Sequence, residues 1–203
     1  MHDTPDVKSP AHQGPRPRLV VVTGRPGAGK STLAHKLARA VHCPLISRDE
    51  LKEGYVNSGH PAGAPAGDAQ KHIYSVFFHT LGDLLEQGVS LVAEAAFQHK
   101  AWAPGLEPLR LLADLRLVVC EVDAQHARDR RVERGLADPG RERFHADPDV
   151  ALARAGGTPG PGTYDPPRLE VPTLQVDTAD GYAPAFERIV DFAMPAPTPE
   201  SPG

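Results

Sequence analysis

The stretch VVTGRPGAGKSTLAHKL, residues 21–37, gathers chemistry-bearing residues into one short run. Gly24, Gly27 and Gly29 fall within six residues, and Lys30, Ser31 and Thr32 follow directly. Gly24 to Ser31 meet the spacing G-x-x-x-x-G-K-[ST]. Glycines let successive backbone N–H groups turn inward with no side chain in the way. A helix beginning at the end of such a loop adds its positive N-terminus. That combination suits a dense negative charge, and the chemistry it implies is the binding of ATP or another nucleoside triphosphate. Lys30 is placed to reach the β- and γ-phosphates, and the Ser31 hydroxyl to join a Mg2+ shell. Gly24, Gly27, Ala28, Gly29 and Thr32 complete the expected nucleotide cradle. A plain glycine-rich turn is the simpler alternative. The setting argues against it, because a Val-rich apolar run precedes the glycines and a helical pattern follows them.

The elements that must position this loop alternate between strand and helix, the signature of an α/β fold with a parallel sheet. Residues 18–23 read as a first strand buried on both faces, and 31–41 as a helix with Leu33 and Leu37 on one face. A short strand over 44–47 precedes a helix from about Asp49. Residues 59–67 (GHPAGAPAG) read as a loop. A longer helix spans 68–87, with Ile73, Phe77, Leu81 and Leu84 at core spacing. Strands over 89–94 and 115–122 follow, then an arginine-rich helix over 123–134. Residues 135–167 are rich in glycine and proline and too long for an ordinary connection. A fifth strand over 169–176 and a helix over 182–192 close the domain. Residues 1–17 and 195–203 are polar and proline-rich and read as disordered tails. The domain is therefore expected over 18–194.

From residue 19 to about 192 this order resembles the small P-loop kinases of the predicted-kinase (AAA_33-like) group. That group is similar to polynucleotide 5′-kinases, chloramphenicol phosphotransferases and zeta toxins. The resemblance implies a P-loop NTPase fold: a five-stranded parallel sheet flanked by helices, an acceptor site above the strand ends, and a mobile lid containing arginines. It also implies roles for particular residues. In PLISRDELKEGY, Asp49 stands where such kinases place the carboxylate that takes the acceptor hydroxyl's proton. The family's D-x-x-R becomes Asp49 with Lys52 here, which departs from the polynucleotide kinases. Ser47 and Glu50 offer a competing explanation, a helix capping box. In SLVAEAAF, Glu94 ends the third strand, where the group carries an acid serving magnesium-bound water or acceptor. Asp49, Lys52 and Glu94 are thus the expected substrate contacts. In ARDRRVERG, Arg130 and Arg134 are four apart and share a helical face. The resemblance gives one such arginine to adenine, here Arg130, and one to the transferring phosphoryl group, here Arg134. An alternative register would use Arg131. The segment 135–167 is the expected lid, with Arg143 and His145 as further acceptor candidates. Phe97 and Gln98 are candidates for the acceptor pocket, and residues 177–181 for the border of the base.

Composition limits the partners. The chain has 203 residues and a net charge of −4, which disfavours a duplex-DNA binder. Aromatic content of 5% gives few stacking platforms for single strands. The ten histidines are scattered without metal-ligand spacing. Cys43 and Cys120 read as free thiols in a reducing compartment. No signal-peptide pattern and no membrane-length apolar run is visible, so a cytoplasmic location is expected. The reading is an ATP-dependent kinase acting on a hydroxyl of a small molecule. The alternatives are a polynucleotide 5′-hydroxyl kinase and a non-catalytic nucleotide-binding switch. No motif names the acceptor or the oligomeric state.

Overall fold

The computed structural model describes residues 15–60, 66–145, 147–160 and 162–195. Five strands form one parallel sheet: β1 (Arg18–Gly24), β2 (Leu45–Ser47), β3 (Leu91–Glu94), β4 (Asp114–Glu121) and β5 (Thr173–Asp177), in the order β2-β3-β1-β4-β5. The P-loop NTPase arrangement is therefore present. β1 lies at the centre because its Leu-Val-Val-Val run suits burial on both faces. Leu19 and Val21 point to one core, with Phe77, Leu81 and Leu85 of α3 (Ala66–Glu86) and Trp102 and Leu106 of α4 (His99–Leu106). Val20 and Val22 point to the other, with Leu33 and Leu37 of α1 (Lys30–Ala40) and Ile189 of α8 (Phe186–Ala193). Cys120 is free and deeply buried, and burial pushes its thiol pKa up to about 12. Cys43 is free as well and half-buried.

Expected and observed elements differ where local chemistry misleads. β5 starts at Thr173, while Leu169 and Val171 of the expected strand pack on the first core. The last helix starts at Phe186 because Asp177 and Ala183 close a turn through backbone hydrogen bonds of 2.8 and 3.0 Å. α4, which holds Pro104 and Gly105 within its span, was not expected. Gly105 is needed there, because a Cβ would lie 2.3 Å from the Phe78 ring. The largest correction falls in 135–167, which contains two short helices, α6 (Pro139–His145) and α7 (Pro148–Arg154). Their prolines open helices, where no intrahelical N–H is required. Asp147 caps α7 by accepting a hydrogen bond from the Asp149 backbone N–H at 3.0 Å. α2 (Arg48–Asn57) and α5 (Ala124–Ala137) lie close to their expected spans.

The tails also change. Pro17 is buried and its carbonyl accepts from the Asp114 N–H at 2.9 Å, so order begins before residue 18. Residues 1–14 and 196–203 of the expected tails lie outside the described residues, as do 61–65 of the expected loop. No helix among the described residues is long and apolar enough to cross a membrane.

A buried hydroxyl ties three elements together at the carboxyl end of β1. Thr23 Oγ1 donates to the Ala95 carbonyl at 2.9 Å and accepts from Trp102 Nε1 at 2.9 Å. Its single proton is thereby used, so the Tyr164 hydroxyl, 2.8 Å away, is the donor in their contact. Thr23→Val keeps the shape but leaves the buried indole N–H without an acceptor. It is expected to destabilise the protein by about 1–3 kcal/mol. Urea unfolding of the variant measures this, and an unchanged midpoint and slope would contradict it.

Candidate functional site

The carboxyl ends of β1, β2 and β3 meet below the start of α1, where open parallel sheets place their ligands. The phosphate loop runs from β1 into α1. Gly29 adopts a left-handed conformation, with φ of 73°, and carries the chain into the helix. Gly27 has φ of 89°, and a Cβ there would lie 1.9 Å from the Ala127 carbonyl of α5. The loop thus packs against the arginine helix with no room for a side chain. Ala28 is buried, and its carbonyl accepts from Thr178 Oγ1 at 2.9 Å. Thr32 is exposed on α1 beside Ser31.

Glu94 is the most buried charge of the site, with 1% of its surface exposed. An exposed acid at a strand end would be expected to face water, and this one does not. Its Oε1 lies 3.4 Å from Lys30 Nζ and accepts from Ser31 Oγ at 3.3 Å. Its Oε2 accepts from Ser47 Oγ at 2.9 Å. Ser47 occupies the N-cap position of α2, yet its side chain makes no capping hydrogen bond. The capping-box alternative therefore fails, because the hydroxyl is committed to the carboxylate.

Asp49 lies in the first turn of α2 and pairs with Arg48 Nη1 at 3.0 Å. Burial raises the pKa of this carboxyl. The positive charges of Lys30, Arg48 and His145, with the Arg48 hydrogen bond, outweigh it and hold Asp49 below the usual aspartate range. It is a carboxylate at neutral pH. A cleft of about 380 Å3 brings Asp49 together with Lys30, Lys52 and Arg134. Phe97 lines the same cleft, as do Arg48 and Gln70, which sequence reasoning missed. Gln98 is turned instead to the chain beyond, accepting from the Asp165 N–H at 2.8 Å.

The arginine helix presents a different face from the one expected. Arg131 and Arg134, three residues apart, line the cleft. Arg130 is directed to the β5–α8 turn, donating to the carbonyls of Thr178 and Ala179 at 2.9 and 2.6 Å. The helical periodicity allows either i,i+3 or i,i+4 neighbours, and packing against the phosphate loop selects between them. Arg130 thus holds the 177–181 turn without sharing the cleft. Arg131 is paired with Asp147 at 3.3 Å and with Asp149, both at the start of α7. His145 lines the cleft and its Nε2 lies 2.8 Å from Glu53 Oε1 of α2. Arg143 is exposed, with its guanidinium over the Phe144 ring, and does not line the cleft. Among the described residues no cluster of three or more histidine, cysteine or acidic side chains could hold a metal ion alone.

Known proteins share this architecture. A crystal structure from Chloroflexus aurantiacus J-10-fl, of a protein provisionally named a kinase, superposes with a TM-score of 0.69. The two are 27% identical over 88% of this chain and 97% of that one. The APS kinase CysC of Mycobacterium tuberculosis, solved with AMPPNP and APS, superposes with a TM-score of 0.59. It is 22% identical over 88% of this chain and 98% of the other, a likeness of fold. A shikimate kinase of Corynebacterium efficiens is 54% identical over 35 residues, covering 17% of this chain. The match spans only 21% of that curated relative's length. Across residues 19–153 the sequence fits the AAA_33 profile, described as an AAA domain. That span carries the phosphate loop, Asp49, Glu94 and the arginine helix, and the chain belongs to the AAA_33 family of P-loop domains.

Proposed function

We propose that the protein is an ATP-dependent kinase that transfers the γ-phosphoryl group to a hydroxyl of a small-molecule acceptor. The observation that carries this reading is the shared cleft: an ionised Asp49 faces the same space as the phosphate-loop Lys30. A pure nucleotide switch needs the loop but not a carboxylate set opposite it. Phosphoryl transfer offers little covalent work to the protein, so positioning and charge dominate. Asp49 accepts the proton of the attacking hydroxyl. Lys30 exchanges its Glu94 partner for phosphate oxygens. Arg134 meets charge developing on the transferring group, with Arg131 beside it as a second cation of the cleft.

The oxygens of Ser31 and Glu94 fit Mg2+, a hard cation usually held by one or two protein ligands together with phosphates and water. When bound there, the ion supplies neutralisation of the triphosphate charge. Ser47 fixes the orientation of Glu94 by holding its second oxygen.

The lid takes a narrower form in this reading. α6 and α7 are tied to the body through side chains, His145 to Glu53 and Arg131 to Asp147 and Asp149. Residues 163–168 are fastened more firmly. The Asp165 carbonyl accepts from the His99 N–H at 2.8 Å, and Tyr164 is bound to Thr23. We assign the closing motion to α6 and α7, and a fixed strut to 163–168.

Lys30→Ala is expected to lower turnover by at least ~10²-fold with retained far-UV circular dichroism, as for loss of a charge-stabilising group. An ATP-consumption screen over sugars, nucleosides, antibiotics and short oligonucleotides supplies the assay, and phosphorylation of only the oligonucleotides would favour a 5′-kinase. Asp49→Asn is expected to keep ATP affinity and slow transfer by about 10²–10⁴-fold. Because Asp49 is held below the usual aspartate range, the acid limb of wild-type kcat/KM should lie below that range and vanish in the variant. Loss of ATP binding in Asp49→Asn would instead mark a structural role. Hydrogen exchange should show residues 139–154 gaining protection with a non-hydrolysable ATP analogue plus acceptor, with little change over 163–168. Arg134→Ala should then reduce kcat more than ATP affinity. Equal changes in both segments would remove the distinction between closing helices and fixed strut.

A further inference from the structure

We propose that the acceptor carries an anionic group, a carboxylate or a phosphate, beside its reactive hydroxyl, and that Lys52 and Arg48 bind it. The inference rests on the kinase reading and names the class of its acceptor. Arg48 and Lys52 are four residues apart on α2 and line the cleft on either side of Asp49 in sequence. Like charges at this spacing repel and weaken a helix. The repulsion is stronger where water is partly excluded, and both side chains are half-buried. Neither cation is fully satisfied among the described residues. Arg48 spends Nη1 on Asp49, but its Nε is buried without a hydrogen-bond partner. The Lys52 ammonium makes no ion pair or hydrogen bond among the described residues. Burial and the neighbouring Arg48 pull its pKa below the usual lysine range, against the opposing pull of Asp49. The local field is therefore positive in excess.

The other cations of the cleft differ in the carboxylates beside them, although Arg131 Nε is likewise buried without a hydrogen-bond partner among the described residues. Lys30 is matched by Glu94, and Arg131 by Asp147 and Asp149. Lys52, without an ion pair or hydrogen bond among the described residues, lies on the α2 side, next to the proposed base and apart from the phosphate loop. A buried donor without a partner is costly, and an anion placed between Arg48 Nε and Lys52 relieves the unsatisfied donor and the repulsion together. Charge-assisted bonds of this kind are the strong ones. Phe97 and Gln70 border the same space and suit a carbon skeleton and its further hydroxyls.

The test uses matched acceptors that differ only in charge: an aldonic acid against its alditol, a sugar phosphate against its sugar, a hydroxy acid against its amide. Acidic members are expected to show kcat/KM at least ~10²-fold above their neutral partners, a factor within reach of lost charge-assisted bonds. The carboxylate and phosphate arms separate the two anions. Lys52→Met should raise the acidic acceptor's KM by roughly 10–100-fold without raising that of ATP, and Lys52→Arg should recover most of it. Preference for neutral members, or a rise in ATP KM alone, would overturn the proposal. A second measurement stands apart from turnover. The Arg48 Nε–Hε NMR signal should shift on titration with inorganic phosphate or glycerate in the presence of Mg-ADP, and the shift should shrink in Lys52→Met. No shift overturns the anion site even if a neutral acceptor is phosphorylated. A shift without any ATP consumption retains the anion site and rejects the kinase reading.

Discussion

A carboxylate buried at the end of an apolar strand is tolerated only where charge and hydrogen bonds meet both its oxygens. Glu94 meets that condition through three groups from two places in the fold: Lys30 and Ser31 from α1 and Ser47 from the β2–α2 junction. The constraint works in both directions. Glu94 needs those partners in order to be buried, and their positions follow from it. The start of α1 is drawn onto the end of β3, which lies beside β1 in the sheet. The start of α2 is drawn to the same point, and Asp49 is only two residues from Ser47. The proposed base therefore reaches the phosphate loop because a neighbouring serine is held by a carboxylate.

The opposite wall is built by close approach. Gly27 lets the loop touch Ala127, so α5 is pinned against the loop at its first turn. With that contact fixed, the helix must turn Arg131 and Arg134 to the cleft and Arg130 to the β5–α8 turn. Thr178 then links the turn back to Ala28 of the loop. Sheet end, loop and arginine helix form one closed circuit around the space where phosphates are expected. Thr23 extends the circuit to Trp102 and Tyr164. The chain leaving α7 is thus tethered to the base of the loop, and the proposed closing motion falls to the two short helices between α5 and that tether.

The sheet and the phosphate loop were legible because their signals are local. A Val-rich run, a glycine spacing and a helical period each fit in a window of a few residues. Glu94 was legible as a residue and not as a buried one. The four apolar or acidic letters of its strand do not reveal that Ser47 crosses from the next strand to cover it. Ser47 itself matched a capping pattern with Glu50, and only tertiary geometry shows which acceptor its hydroxyl takes. The helices over 139–154 were hidden by prolines that mark interruption in sequence and initiation in structure. Arg48 carried no motif. Its significance lies in an unpaired Nε, a property of three-dimensional packing that no spacing rule encodes.

The same logic separates scaffold charge from functional charge. Asp114 is shared by Arg18 and Arg116 at the amino end of the sheet, and Arg168 pairs with Asp165 on the surface. Those pairs are complete and ask nothing of a ligand. At the carboxyl end of the sheet the balance differs. The Lys30–Glu94 pair is complete, and in the proposed reading a phosphate replaces one partner and a hard cation the other. Asp49 is held ionised by cations around it, which keeps it able to accept a proton while limiting its basicity. A weak base suffices where the transition state is loose and the hydroxyl proton leaves late. Strong fixed charge and a modest base are compatible demands in phosphoryl transfer, and Arg48, which joins Lys30 in lowering the pKa of Asp49, is also one of the two cations proposed to hold an acidic acceptor.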